Sequence, residues 1–194
     1  KEACEFYGLD PEKKHIFIVG GSLGSRTLNE AMKKWISEGC PGGEGIEVIW
    51  QCGKYYKKQI DAFMEEAKAS GKPVDGIQHS DFIMRMDLAY AAADIVISRS
   101  GASSVSELCA AHKAVIFVPS PNVAEDHQTH NAMALVRKDA AIMVKDAEAG
   151  EKLMSTACAL IENNEQIALM ERNIAALALR DAAMTIAEEV YRIV

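Results

Sequence analysis

Short apolar, β-branched runs alternate along the chain with longer stretches in which apolar residues recur every three or four positions. His15–Val19 is the first such run, closed by Gly20-Gly21, and Thr27–Ile36 follows with Leu28, Ala31, Met32 and Trp35 at helical spacing. This pattern predicts strand, glycine turn, helix. Glu47–Gln51 predicts a second strand, and Tyr56–Ala69 a second helix, stopped by Gly71 and Pro73. Ile77–His79 predicts a short strand and Met86–Ala93 a helix. Asp94–Ser98 then predicts a strand, a helix from about Ser104 to Ala111, and a strand over Ala114–Val118. A helix over His127–Arg137 and a strand over Ala141–Val144 follow, with helices across the remainder.

Strands separated by helices call for crossover connections, and apolar strands call for cover on both faces. The expected fold class is therefore α/β, a Rossmann-like, doubly wound parallel sheet. A chain of 194 residues suits one folding unit. Residues 1–12 read as a lead-in, since Lys1–Gly8 resembles the end of a helix with Pro11 just beyond, and residues 165–194 read as C-terminal helices. Leu153, Leu160, Ile161, Ile174, Leu177, Ile186, Val190 and Ile193 are spaced so that these helices need a surface to cover. The chain opens on Lys1, and the expectation is a piece of something longer.

Charge narrows the partners. With 21 Lys and Arg against 28 Asp and Glu, the net charge of −7 repels a nucleic-acid backbone or an anionic membrane, so an anionic ligand needs a local site. Five scattered cysteines without a C-x-x-C pair suit reduced thiols. No apolar run approaches the roughly 20 residues of a membrane span.

In an open parallel sheet, ligands sit beyond the carboxyl ends of the strands, where helix N-termini offer free N–H groups. Loop one, Gly20-Gly-Ser-Leu-Gly-Ser25, has the small residues that let a diphosphate approach, although its glycines lack the dinucleotide spacing and no P-loop lysine follows. Loop two, Ser98-Arg-Ser-Gly-Ala-Ser-Ser-Val-Ser-Glu107, offers Gly101, Ala102, Ser103 and Ser104 to phosphates and Glu107 to ribose hydroxyls. The competing account is a capping box of Ser104 with Glu107. Loop three, from Pro119 to Ala132, carries Asp126, His127, Gln128 and Asn131, a set able to read sugar hydroxyls. His127 and His130 with Glu125 or Asp126 hint at a metal, but no further ligand cluster stands elsewhere, so no metal is expected. Phe82-Ile83 could sandwich a base, or simply fill core. Arg85 and Arg99 could pair with phosphate, or with a neighbouring carboxylate.

Taken in order, Gly20-Gly-Ser-Leu-Gly-Ser-x-x-Leu-Asn29, Ser98–Glu107 and Asp126-His-Gln-Thr-His-Asn-Ala132 resemble the MurG family, the bacterial N-acetylglucosaminyltransferases of peptidoglycan synthesis. The resemblance runs from Gly8-Leu9-Asp10 to the final helices. It implies the C-terminal, donor-binding half of a GT-B glycosyltransferase of family 28. By resemblance, the Ile83 backbone meets uracil, Ser22 and the turn from Ala102 to Ser104 hold the diphosphate, and Glu107 takes the ribose hydroxyls. Gln128, with His127 beside it, reads the N-acetylglucosamine hydroxyls. Ser103 stands where a larger apolar residue is common, Ser104 where threonine is usual, and Met84-Arg85 where the family has an acidic pair.

The reaction implied is inverting transfer of N-acetylglucosamine from UDP-N-acetylglucosamine to a lipid-linked muramoyl-pentapeptide acceptor, without a cofactor, turning lipid I into lipid II at the cytoplasmic face of the membrane. The general base and the lipid-facing loops belong, in the family, to an N-terminal half. These residues alone are thus expected to bind donor without turning it over, and to meet the membrane only through that half. Three rivals remain: the donor subunit of a split dolichol-pathway N-acetylglucosaminyltransferase, a UDP-N-acetylglucosamine 2-epimerase, and a non-catalytic domain whose loops are only caps and turns.

Overall fold

Consecutive residues of the first strand point to opposite sides of the sheet, and both sides are dry. Ile16, Phe17 and Ile18 are fully buried, yet Ile16 and Ile18 join one apolar cluster while Phe17 and Val19 join another. A strand with no wet face carries no alternation, which is why these strands read as continuous apolar runs.

The computed structural model describes residues 1–122, 126–179 and 181–193. Its strands are β1 (Lys14–Val19), β2 (Ile46–Gln51), β3 (Ile77–Ser80), β4 (Ile95–Ser98), β5 (Ala114–Phe117) and β6 (Ile142–Met143). All pair in parallel, in the order β3-β2-β1-β4-β5-β6. The helices are α1 (Glu2–Tyr7), α2 (Arg26–Ser37), α3 (Lys57–Ala69), α4 (Met86–Ala92), α5 (Ala102–Ala111), α6 (His127–Val136), α7 (Ala149–Ile161), α8 (Asn164–Ala175) and α9 (Ala182–Ile193). The α/β expectation therefore stands, with element ends shifted by a residue or two. Within Lys1–Gly8, Glu2–Tyr7 is helix, ended by Gly8 in the left-handed region at φ 64°.

One shift matters. Helix α5 begins at Ala102 rather than Ser104, with Gly101 as an extended N-cap and no side-chain cap. Ser104 lies inside the first turn, so the capping box of Ser104 with Glu107 does not form. By helix geometry the N–H groups of Ala102, Ser103 and Ser104 then have no intrahelical acceptor.

Helix α7 packs on α2 and α8 on α5 and β5, burying Leu153, Leu160, Ile161 and Ile174, with Leu177 partly covered. In α9, Ile186, Val190 and Ile193 stay exposed, and no described residue of that helix is buried. Among the described residues no helix is long and apolar enough to cross a membrane.

The order of the strands places the site. β1 has β2 on one side and β4 on the other, so the loop after β1 and the loop after β4 leave adjacent strands in diverging directions. A crevice opens between them at the carboxyl edge. The opposite edge is closed by its own polar groups, Glu47 accepting from the Asp10 N–H and from Lys13, and Asp94 from the His15 N–H.

Candidate functional site

Loop one is shaped by close approach. Ser25 caps α2 by accepting from the Leu28 N–H, which leaves Gly20–Gly24 to turn tightly above the end of β1. Gly24, at φ 83°, lies against the loop after β2: a Cβ there would fall 2.2 Å from the Cys52 carbonyl oxygen. Buried Asn29 latches the same two segments, donating to the Cys52 carbonyl at 2.9 Å and accepting from the Trp50 indole at 3.0 Å. Burial pushes the Cys52 thiol up to about 11, so it stays a neutral packing group.

Gln51, the last residue of β2 and 3% exposed, bridges two loops. Its Nε2 donates to the Gly21 carbonyl at 2.9 Å, and its Oε1 accepts from the Ile83 N–H at 3.1 Å. Loop one and the segment leading into α4 are thus tied through one side chain.

Loops two and three are sewn together in the same way. Ser100, fully buried, donates its hydroxyl to the Gln128 carbonyl at 2.8 Å, and Asn131 Nδ2 donates to the Ser100 carbonyl at 3.0 Å. Gln128 Oε1 accepts from the Ser120 N–H at 2.9 Å. With its oxygen engaged, the amide presents N–H donors at its other end.

These segments enclose a cavity of about 780 Å³, a size suited to a small-molecule ligand. The loop from Gly20 to Ser25 forms one wall; Gly101 and Ser104 at the start of α5, together with Ser120, Pro121, Asn122 and Gln128, form the other. The N-termini of α2 and α5 both open onto it, each carrying partial positive charge, and Arg26 adds a full one. Such a pocket can hold a dianion by backbone donors and offer side-chain amide and hydroxyl groups beside it.

Of the residues singled out from sequence, Ser22, Gly101, Ser104 and Gln128 line this cavity. Ala102 and Ser103 are exposed in the first turn of α5. Ile83 and Glu107 are not in its lining; each is tied to α4, one by sequence and the other by a hydrogen bond. Ile83 is buried just before that helix, and exposed Glu107 accepts from the hydroxyl of Tyr90 on it, at 3.3 Å. Burial and the Glu107 carboxylate both push the Tyr90 phenol above its ordinary range. His127 is exposed and lies outside the lining, while Asn131 spends its amide on Ser100.

Phe82 is half exposed, and Arg85 pairs with Asp87 on a solvated face. Arg99 pairs instead with Asp146 at the cavity. Among the described residues no group of three or more His, Cys, Asp or Glu is placed to hold a metal; Glu125, one of the ligands considered, lies outside the described residues. Gln51, Arg26, Tyr56 and Asp146 were not singled out from sequence. Only Gln51 had a local signal, a polar residue closing an apolar strand.

The model of the glycosyltransferase family 28 C-terminal domain matches residues 15–186. The UDP-N-acetylglucosamine--N-acetylmuramyl-(pentapeptide) pyrophosphoryl-undecaprenol N-acetylglucosamine transferase of Parabacteroides distasonis is 48% identical over 194 residues, covering 100% of this chain and 51% of the relative. The protein of the same description from Bacteroides fragilis is 50% identical over 193 residues, covering 100% of this chain and 50% of its own length. The chain thus spans about half the length of these curated relatives. The crystal structure of MurG from Acinetobacter baumannii superposes with a TM-score of 0.76 at 27% identity, over 93% of this chain and 52% of that one.

Proposed function

The chain belongs to the family of glycosyltransferase family 28 C-terminal domains, and from that we propose that it is the donor-binding half of an inverting N-acetylglucosaminyltransferase, holding UDP-N-acetylglucosamine. All of residues 1–194 then serve as one UDP-sugar-binding domain. The convergence of the α2 and α5 N-termini on one cavity carries this proposal. A diphosphate laid between them meets unpaired N–H groups from both helices, at the place where negative charge grows as UDP departs.

The remaining groups fall in line with the parts of the donor. Ser22 and the turn from Gly101 to Ser104 take the phosphates. Glu107, oriented by Tyr90, accepts the ribose hydroxyls. The Ile83 N–H is already held by Gln51, so its carbonyl is the backbone group that accepts the uracil N3–H. Gln128 turns its free N–H donors to the sugar, with His127 at the outer edge. Asn131 serves the same end indirectly, by fixing Ser100.

The acceptor in this proposal is the lipid-linked muramoyl pentapeptide, converted from lipid I to lipid II at the cytoplasmic face of the membrane by a peripheral enzyme. The base that takes the acceptor proton belongs to the other half of that enzyme, and so does the membrane contact. The exposed apolar face of α9 is surface for that half to cover.

Calorimetric titration of the 194-residue chain with UDP, UDP-N-acetylglucosamine and UDP-glucose, with EDTA present, tests the proposal. The N-acetyl sugar nucleotide is expected to bind best, and Glu107→Ala to weaken all three by about tenfold or more, the loss of charge-assisted bonds to a diol. Binding indifferent to Glu107→Ala, or no binding of any uridine nucleotide at millimolar concentration, would sink it.

A further inference from the structure

Arg99 follows the end of β4 and reaches two segments at once. Its Nη1 donates to the carbonyls of Val118 at 2.8 Å and Pro119 at 3.1 Å, just past the end of β5, and to Asp146 Oδ1 at 2.5 Å. The other Asp146 oxygen accepts from the Thr27 hydroxyl, in the first turn of α2, at 3.1 Å. The two charged side chains are only 15% and 23% exposed. An exposed ion pair contributes little, but one this enclosed fixes whatever it touches, because either charge left alone is poorly solvated.

The carbonyls that Arg99 holds belong to the residues immediately before Ser120, whose N–H holds the Gln128 amide oxygen. A continuous series of bonds therefore runs from the first turn of α2, through Asp146 and Arg99, to the amide orientation of Gln128. We propose that the Arg99–Asp146 pair is a positioning device for the sugar end of the site: it holds the Val118–Ser120 turn so that Gln128 aims its N–H donors into the cavity. This rests on the assignment of Gln128 to the donor sugar. Arg99 itself lines the cavity, so the rival is a guanidinium that binds the diphosphate directly, and the two make opposite predictions.

The test compares UDP with UDP-N-acetylglucosamine on the 194-residue chain and its Arg99→Lys, Arg99→Met and Asp146→Asn variants, with a thermal melt of each. Lysine keeps the charge but carries it on a shorter stem, away from the position from which Arg99 Nη1 meets all three acceptors. The ratio of the two Kd values, UDP over UDP-N-acetylglucosamine, is expected to fall about tenfold in Arg99→Met, the worth of one or two hydrogen bonds to the sugar. It falls by less in Arg99→Lys and Asp146→Asn, and the Kd for UDP moves less than about threefold in all three. If Arg99→Met does not fold, the near-isosteric Asp146→Asn decides by the same ratio.

Parallel losses for both ligands with an unchanged ratio overturn the proposal in favour of direct phosphate contact, and so does tighter UDP binding in Asp146→Asn, where the guanidinium is released from its partner. A lower melting temperature with the ratio intact reduces the pair to scaffolding and overturns it too. A parent chain that binds UDP as well as UDP-N-acetylglucosamine fails at the earlier step, the assignment of Gln128, and is thereby distinguishable.

Discussion

Replacing Gln51 by methionine keeps length and flexibility while deleting both polar atoms of the bridge between loop one and the segment before α4. The two orphaned partners are not equal. Gly21 is exposed, so its carbonyl regains water and the loss is that of one ordinary hydrogen bond, about 0.5–1 kcal/mol. Ile83 is 5% exposed, so its N–H is left without a partner at a cost of about 1–3 kcal/mol. Together these give about 1.5–4 kcal/mol, or a melting temperature lower by roughly 3–16 °C for a chain of this size. On the proposed function both tethered segments belong to the nucleotide site, so UDP affinity should fall with stability.

Gln51→Glu separates the two bonds. Its carboxylate still accepts from Ile83 but faces the Gly21 carbonyl with no proton to donate, and burial raises its pKa. A group whose folded pKa is raised stabilises below its unfolded pKa and loses that contribution as pH rises through the folded value. The deficit of Gln51→Glu relative to the parent should therefore shrink as pH falls toward about 4.3. Thermal and urea denaturation across pH read this directly. A Gln51→Met variant that melts within about 1 °C of the parent would refute the bridge.

Gly24→Ala combines a positive φ with a Cβ 2.2 Å from the Cys52 carbonyl oxygen, and should cost about 2–4 kcal/mol, whereas Gly21→Ala, at φ 82° with nothing within 4 Å, should cost about 1 kcal/mol. Equal losses in chemical denaturation would contradict the close packing of loop one on the loop after β2. The raised pKa of Tyr90 makes a second pH prediction. Its contribution to stability is whole below about pH 10, the unfolded value, and is lost as pH rises beyond it through the higher folded one. Tyr90→Phe should flatten that alkaline decline, and denaturation curves that overlay those of the parent above about pH 10 would show that the phenol is not held by burial and Glu107.

Local spacing alone determined most of the architecture. Apolar runs such as Ile16–Val19 and Val115–Val118, interrupted by helices with one apolar face, admit little besides a parallel sheet covered on both sides, since period and length are written in consecutive residues. The loops rich in glycine and serine after β1 and β4 were legible for the same reason: small residues where a strand meets a helix have a local cause. Tertiary structure decided which of these groups share a cavity and which support them. Asn131, polar and well placed in sequence, is spent on the Ser100 carbonyl, while Ser104 serves no cap because α5 starts two residues earlier. Arg99 and Asp146 are 47 residues apart, and Gln51 and Ile83 are 32 apart. Their meeting depends on the strand order that sets β1 between β2 and β4, and no period or propensity in the intervening residues encodes a contact made across that order.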